Sequence, residues 1–316
     1  MKKVFIMTAF AMLATAAMSQ TPLKSGIDLS DMNQTVKPGD NFYEYACGGW
    51  MKKHPLPAAY SRYGSFDRLA EDNNKRINSI LDELQKGNYA KGTVEQKLSD
   101  YYKLAMDSTR RNKEGVKPAM TLIKEIEAAP TVEALRAIQD KYAALGIGVP
   151  MGIGFGADEK NASQNILNVY QGGLTLGQKE YYLDSDKPTT EIREAYKKHI
   201  VRMFQLFGFK KKEAQKKMEL ILDYETQLAQ VSKSRTELRD VEANYNKVTL
   251  EVFKAIYPNI PLEKFLNAEG VATKYFQEMI IGQPDFLAGA DKLIGTHSVD
   301  QLRAYMEWDV ITGSAS

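Results

Sequence analysis

Cysteine and histidine are scarce in this sequence of 316 residues, which contains one cysteine and three histidines. The lone cysteine, Cys47, excludes an internal disulfide framework and a cysteine-rich zinc cluster. The histidines are His54, His199 and His297, and none belongs to an H-E-x-x-H pair, the spacing that puts two zinc ligands on one helix face. A glycine-rich phosphate loop and a G-x-S-x-G nucleophile turn are also missing. We therefore expect no metal, no cofactor and no catalytic residue within this chain.

The charge of the chain is almost balanced, with 42 lysines and arginines against 40 aspartates and glutamates. The small excess equals Lys2 and Lys3 at the N-terminus. A balanced charge gives no electrostatic basis for binding nucleic acid, so we expect no nucleic-acid partner. Hydrophobic residues make up 43% and charged residues 26%, values typical of a globular protein. No later apolar run is long enough to predict a transmembrane segment.

The N-terminus has the pattern of a signal peptide. Two lysines precede the apolar run Val4–Ala14, which is too short to span a bilayer as a helix. Ala17 and Ser19 then supply the small residues that a signal peptidase reads. We predict a signal peptide over residues 1–19, with Gln20 as the mature start, and a periplasmic or extracellular location in a bacterium. The alternative is a buried N-terminal helix, but the order of lysines, apolar core and small residues favours export.

Apolar residues recur at helical spacing along most of the chain. This spacing predicts longer helices over residues 66–84, 94–106, 116–128, 131–145, 190–206 and 211–238, and shorter ones near residues 250, 262 and 299. Thr131 is typical of a helix N-cap. Glycine alternates with large apolar residues over residues 146–156, and with residues 166–170 this stretch predicts a β-hairpin. We therefore predict a mainly α fold, a multi-helix domain with a small β-hairpin.

The segment from Asp40 to Asp67 is dense in aromatic residues grouped around three glycines. Composition alone predicts only that this cluster is buried against another surface. Its motifs are D-x-F-Y-x-Y-A-C-G-G-W at residues 40–50 and S-R-Y-G-S-F-D at residues 61–67. Further motifs follow in order: D-x-K-N at 158–161, G-L-x-L at 173–176, Y-Y-L at 181–183, E-L-R-D at 237–240, Y-N at 245–246 and Y-x-x-W at 305–308.

These motifs, in this order, resemble the neprilysin and endothelin-converting-enzyme family of zinc metallopeptidases. The resemblance covers nearly the whole mature chain, with a local departure where Gly177 and Gln178 replace the family's proline and aspartate. It implies that residues 20–66 pack on a catalytic domain and that residues 67–316 form a helical peptidase N-terminal domain. The family's zinc helix, H-E-x-x-H, and its downstream E-x-x-x-D come later than any residue here. We therefore interpret the chain as an N-terminal part, incomplete at its C-terminus, of a longer zinc enzyme.

By the same resemblance, three residues bind substrate. Arg62 is implied to contact the free C-terminal carboxylate of short peptides, and Phe66 and Asp67 to line the primed-side pocket. A guanidinium suits this role because its planar fork matches a carboxylate in two hydrogen bonds. From the residues alone, the alternative is a structural ion pair between Arg62 and a local acid such as Asp67.

Two functions remain open from the sequence. The first is the N-terminal portion of an exported zinc metalloendopeptidase that hydrolyses oligopeptides, with zinc in the complete enzyme. On this hypothesis the partners are peptide substrates and the C-terminal catalytic half, and the chain supplies cavity wall and primed-side contacts. The alternative is a catalytically silent helical module that binds peptides or a protein partner.

Overall fold

The computed structural model describes residues 26–314, which form two compact units. The first unit extends to Asp107 and the second begins at Ser108. The predicted signal peptide, residues 1–19, lies outside the described residues. The units divide the chain at a different position from the predicted division after residue 66. That division concerned packing on a catalytic domain and stays a prediction.

Between residues 26 and 107, the first unit contains a short 3-10 turn and three helices. The helices are α1 (Phe42–Lys53), α2 (Ser65–Leu84) and α3 (Val94–Met106). The side chain of Asn41 caps α1 by accepting a bond from the Glu44 amide at 3.0 Å. The turn Leu29–Asp31 packs against α1 at Gly49, where a Cβ atom would lie 2.5 Å from the Ser30 carbonyl oxygen. Glycine at this position therefore permits the close approach of the two backbones.

No apolar side chain of residues 26–107 is buried; the buried apolar residues of the described chain begin at Ile123. Large apolar side chains of this unit lie on its surface instead, among them Phe42, Tyr43, Leu69, Ile77, Ile80, Tyr101 and Leu104. Helices α2 and α3 are thus amphipathic, but residues 26–107 form no buried apolar interior for their apolar faces to cover. Apolar surface on this scale is typical of a region that packs against another protein surface.

The second unit contains helices and a small sheet. Its helices are α4 (Ser108–Glu114), α5 (Lys117–Ala128), α6 (Val132–Lys141), α7 (Glu180–Leu183), α8 (Lys187–Leu206), α9 (Lys211–Val231), α10 (Leu250–Ile256), α11 (Leu262–Ala268), α12 (Pro284–Thr296) and α13 (Val299–Ser314). Its strands are β1 (Met151–Asp158), β2 (Asn161–Gln171), β3 (Asn246–Thr249) and β4 (Glu278–Ile281). The predicted mainly α fold is confirmed. The predicted cap is also present, since Thr131 Oγ1 accepts a bond from the Ala134 amide at 3.2 Å.

The sheet has the strand order β1-β2-β4-β3. β1 and β2 form the predicted antiparallel hairpin, in which Met151 faces Gln171. β2 then pairs in parallel with β4, and β3 pairs antiparallel with β4 on its other side. The sheet is therefore larger than the predicted hairpin, because β3 and β4, at four residues each, are too short to show a local strand pattern.

Two apolar cores fill the second unit. One lies among α5, α6, α8, α9 and α13 around Trp308, and the other joins the sheet to α10, α11 and α12 around Phe286. The central helix α9 ends at Val231 rather than at the predicted residue 238, because Ser232 adopts an extended backbone. Among residues 26–314 no helix combines the length and apolar character needed to cross a lipid bilayer.

Candidate functional site

Arg62 lies in the loop between α1 and α2, two residues before the Gly64 N-cap of α2. Its side chain is exposed, and it has no hydrogen bond or ion pair with any residue from 26 to 314. The guanidinium is therefore free to bind an anion from solution. It also lies next to the first turn of a helix, where backbone amides favour negative charge.

Two tyrosines on either side of Arg62 hold this loop on α2. Tyr60 donates a hydrogen bond to Glu71 Oε1 at 2.9 Å, and Tyr63 donates to Glu71 Oε2 at 2.8 Å. The two rings meet edge to face with centroids 5.3 Å apart. The hydrogen bonds to Glu71 raise the pKa of both phenols. We call Tyr60, Tyr63 and Glu71 the tyrosine brace; it fixes the backbone on both sides of Arg62.

The other two predicted site residues lie in the first turn of α2. Asp67 Oδ2 accepts a bond from the Gly64 amide at 2.8 Å, so its carboxylate satisfies the N-cap position of the helix. The ion pair between Arg62 and Asp67 that the sequence left open is not formed. Phe66 is 84% exposed. The structure thus brings Arg62, Phe66 and Asp67 onto one loop and helix start, with the arginine and the phenyl ring both accessible.

The end of α1 supports the same loop. The His54 ring stacks on Trp50 with centroids 4.5 Å apart, and the Arg68 guanidinium of α2 contacts His54 Nε2. Trp50 in turn lies 6.0 Å from the ring of Tyr63. His54 therefore joins α1 to α2. Cys47, also in α1, is a free thiol and is only partly buried.

A buried carboxylate forms the main polar cluster of the second unit, and no sequence motif predicts it. Glu225 on α9 is fully buried and accepts four hydrogen bonds. They come from the Thr175 amide and hydroxyl at 3.2 and 2.6 Å, from Tyr182 at 3.0 Å and from Tyr196 at 2.8 Å. Thr175 also accepts from Trp308 Nε1 at 3.0 Å. We call these five residues the Glu225 network.

The Glu225 network is structural in its chemistry. No lysine, arginine or histidine among residues 26–314 pairs with Glu225; burial raises the pKa of Glu225, and the four donors oppose that shift. Burial also raises the pKa of Tyr182 and Tyr196, so both phenols stay protonated and remain donors. Because every polar atom of the cluster is engaged inside the protein, the network positions α7, α8, α9 and α13 and presents no group to a substrate.

The described residues do not fit a zinc site. No group of three or more histidine, cysteine, aspartate or glutamate side chains among residues 26–314 is arranged to hold a metal ion. His54 is stacked on Trp50, and His199 lies 6.0 Å from the ring of Trp308. The two ring nitrogens of His297 are buried and have no hydrogen-bond partner among the described residues, and burial lowers the pKa of His297 to about 4. Residues 26–314 therefore do not supply a set of zinc ligands.

The fold and this loop define the class of the protein: a multi-helix chain with a small mixed sheet, an accessible arginine and no metal cluster among its described residues. The profile of peptidase family M13, from its N-terminal region, matches residues 38–316. The chain belongs to that family.

Known proteins similar to the chain support this assignment. Endothelin-converting enzyme 1 from Homo sapiens is 30% identical over 300 residues, covering 91% of the chain and 38% of the relative. The Cavia porcellus enzyme of the same name is 29% identical, with 91% and 39% covered. The crystal structure of Mycobacterium tuberculosis zinc metalloprotease ZMP1 with an inhibitor superposes with a TM-score of 0.80 at 25% identity, covering 90% of the chain and 43% of that protein. The chain thus spans about two fifths of the length of these relatives.

Proposed function

We propose that the chain forms the N-terminal part of an exported zinc metalloendopeptidase that hydrolyses oligopeptides. Its family membership and its relatives named as zinc metalloprotease and endothelin-converting enzyme support this reaction class. The zinc ligands and the catalytic glutamate would come from polypeptide outside these residues, since the sequence has no H-E-x-x-H. This chain would contribute cavity wall and primed-side substrate contacts. No step at zinc is derived from its residues.

The observation that carries the proposal is the free guanidinium of Arg62 on a braced loop. An arginine without an internal partner is available for a ligand, and the tyrosine brace limits the entropy lost when the ligand binds. We propose that Arg62 binds the C-terminal carboxylate of short peptides. Phe66 would pack on a substrate side chain in the primed-side pocket, and Asp67 would line that pocket while capping α2.

The test uses the complete polypeptide and a pair of peptides that differ only in a free or an amidated C-terminus. Arg62→Met should raise KM for the free acid by roughly tenfold or more, because a charge-assisted bond is worth about 1.5–3 kcal/mol. The amidated peptide should be cleaved almost as before. Arg76→Met, on the exposed surface of the same helix α2, is the matched control and should change neither KM. Equal losses on both peptides would show that Arg62 is structural.

A second candidate function is a catalytically silent module that binds peptides or a protein partner. The exposed apolar surface of residues 26–107 favours it, since that surface needs a partner whether or not the assembly is a peptidase. Purified alone, the chain should retain no stoichiometric zinc after dialysis and should not cleave peptides. Tight one-to-one zinc with chelator-sensitive hydrolysis by the chain alone would contradict this expectation and the assignment of the zinc ligands to other residues.

Export to the periplasm or the extracellular space of a bacterium is part of the same proposal. It rests on the sequence of residues 1–19. N-terminal sequencing of the mature protein from a bacterial periplasmic fraction should give Gln20 as the first residue. An intact leader on protein recovered from the cytoplasm would contradict export while leaving the peptidase proposal untouched.

A further inference from the structure

Strand β1 forms an open edge of the sheet. β2 occupies one side of β1 along its whole length, from Met151 to Asp158. On the other side, no backbone or side-chain group among residues 26–314 bonds to the outward-pointing amides and carbonyls of residues 152–157. The strand therefore presents a row of free donors and acceptors at the spacing of a sheet ladder.

This edge lacks the features by which proteins block strand addition. Residues 151–157 contain no charged residue and no proline, and the one irregularity of the hairpin lies at its far end, between Ala157 and Asp158. The opposite edge of the sheet differs, because β3 has only four residues and carries Lys247, which pairs with Glu278 at 3.0 Å. Only the β1 edge is both long and unprotected.

The two faces beside this edge differ in what they accept. On one face, Met151, Ile153 and Phe155 line an open crevice of about 340 Å³ with Phe265 and Leu266 of α11. We call it the β1 crevice. On the other face β1 has glycine at alternate positions, and a Cβ added at Gly154 or Gly156 would meet no heavy atom closer than 3.6 Å. At Gly152 the ring of Tyr170 covers this second face. Alternate side chains of an added strand would thus meet a mainly apolar crevice, which Glu269 also lines, on one face and open backbone beside Gly154 and Gly156 on the other.

We propose that β1 binds an extended oligopeptide as an additional strand, with alternate apolar side chains of the peptide in the β1 crevice. Backbone hydrogen bonds give the affinity in this binding mode, and the crevice selects large apolar residues at every second position. The inference goes beyond the proposed function, because it needs neither zinc nor Arg62.

The test uses the chain and a ten-residue peptide that alternates threonine with phenylalanine or valine between terminal lysines. Acetylated and amidated ends leave the peptide without the free carboxylate proposed to bind Arg62. Hydrogen exchange should slow in residues 151–158 when the peptide is added and stay unchanged in β3. The control is the same peptide with methyl groups on two neighbouring central backbone nitrogens. Because neighbouring N–H groups of a strand point to opposite edges, this peptide cannot form a continuous ladder with either of its edges. It should bind at least tenfold more weakly by fluorescence anisotropy, since several ladder bonds are lost.

A pair of variants locates the site independently of the peptide chemistry. Phe155, which is 46% exposed, lines the crevice, and Phe155→Lys should weaken peptide binding about tenfold or more. Val252, 43% exposed on α10, is the matched control, and Val252→Lys should bind the peptide as the parent chain does. Equal affinity for the methylated peptide would overturn the proposal. Protection of β1 that grows with chain concentration in the absence of peptide would also overturn it, by assigning the edge to a second copy of the chain.

Discussion

Asp309 on α13 makes the unfolding free energy of the chain depend on pH in a direction unusual for an aspartate. Burial raises the pKa of Asp309 from 3.8 to about 7, opposed by the bond that its Oδ2 accepts from the Gly148 amide at 2.7 Å. The folded chain then keeps a proton that the unfolded chain releases, so stability falls as the pH rises from about 4 to about 7. Three pKa units at about 1.36 kcal/mol each give about 4 kcal/mol. The partial solvent contact of Asp309 reduces the expected decline to about 2–4 kcal/mol.

Asp309→Asn removes this ionisation and keeps an oxygen for the Gly148 amide. Urea unfolding at pH 4 to 8, followed by the fluorescence of the buried Trp308 in a Trp50→Phe background, should show a smaller decline in the variant by that amount. Burial also raises the pKa of Glu307 to about 7. Glu307 titrates in both the parent and the variant, so its contribution cancels when the two pH profiles are subtracted. The exposed Asp300, whose pKa is lowered by its bond to Lys216, is the control. Asp300→Asn should leave the decline intact. Parallel curves for the parent and Asp309→Asn would refute the reasoning.

Three further predictions concern the tyrosine brace, the Glu225 network and the exposed apolar surface of residues 26–107. Glu71→Gln, made in the complete polypeptide, replaces one of the two carboxylate oxygens that accept the tyrosine hydrogen bonds. It should raise KM for free-acid peptides about two- to tenfold in steady-state kinetics. An unchanged KM would show that the tyrosine brace does not position Arg62. Glu225→Gln replaces one carboxylate oxygen, which accepts two hydrogen bonds, with an NH₂ group that can only donate. The variant should have an unfolding free energy at pH 8 about 2–4 kcal/mol lower in urea titrations. Unchanged stability would mean that Glu225 is already protonated. The folded chain should enhance the fluorescence of an apolar dye, because residues 26–107 expose large apolar side chains; a dye-silent monomer would contradict this.

Local signals in the sequence were enough to predict most helices. The helix over residues 94–106 has the bounds that its apolar spacing predicts, and Thr131 caps α6 as its residue type suggests. The hairpin was predictable because both of its strands are adjacent in the chain and their turn is short. Each of these features is set by residues within a few positions of one another, which is the range over which periodicity and capping chemistry act.

The features that the sequence did not predict depend on distant pairings. β4 joins the sheet by pairing with β2 in parallel, which brings Leu167 opposite Met279 across more than a hundred residues. The end of α9 is similar: after Ser232, the Lys233 amide donates to the Gln171 side chain at 2.8 Å, and the chain leaves the helix. Propensity favours continuing the helix there, and a tertiary contact decides against it.

The candidate site was predictable only in part. The family resemblance predicts Arg62, Phe66 and Asp67 as site residues, but it carries no information on which local groups bind one another. The structure shows that Asp67 bonds to the Gly64 amide, and Arg62 pairs with no acid in the part of the chain from residue 26 to residue 314. It also adds Glu71, which lies on a helical surface rich in other charged residues and therefore has no distinguishing pattern in the sequence.

The later motifs that carry the resemblance meet in space and serve structure. Thr175 of the G-L-x-L motif and Tyr182 of the Y-Y-L motif both donate to Glu225, and Trp308 of the Y-x-x-W motif donates to Thr175. In the same way the Tyr245 hydroxyl donates to Asp158, the first residue of the D-x-K-N motif, at 2.9 Å. Motifs separated by up to about 130 residues are thus joined by hydrogen bonds between their own side chains.

This arrangement explains why residues that carry a strong family resemblance need not take part in catalysis or substrate binding. Buried polar groups must be satisfied in full, so each residue of the Glu225 network restricts the others to a few types and spacings. A restriction on residue type and spacing of this kind produces sequence motifs as specific as those of an active site. The S-R-Y-G-S-F-D motif differs, because Tyr63 and Asp67 are engaged internally whereas Arg62 and Phe66 are not. Within the motifs, the residues left without an internal partner are therefore the ones to test for substrate contact.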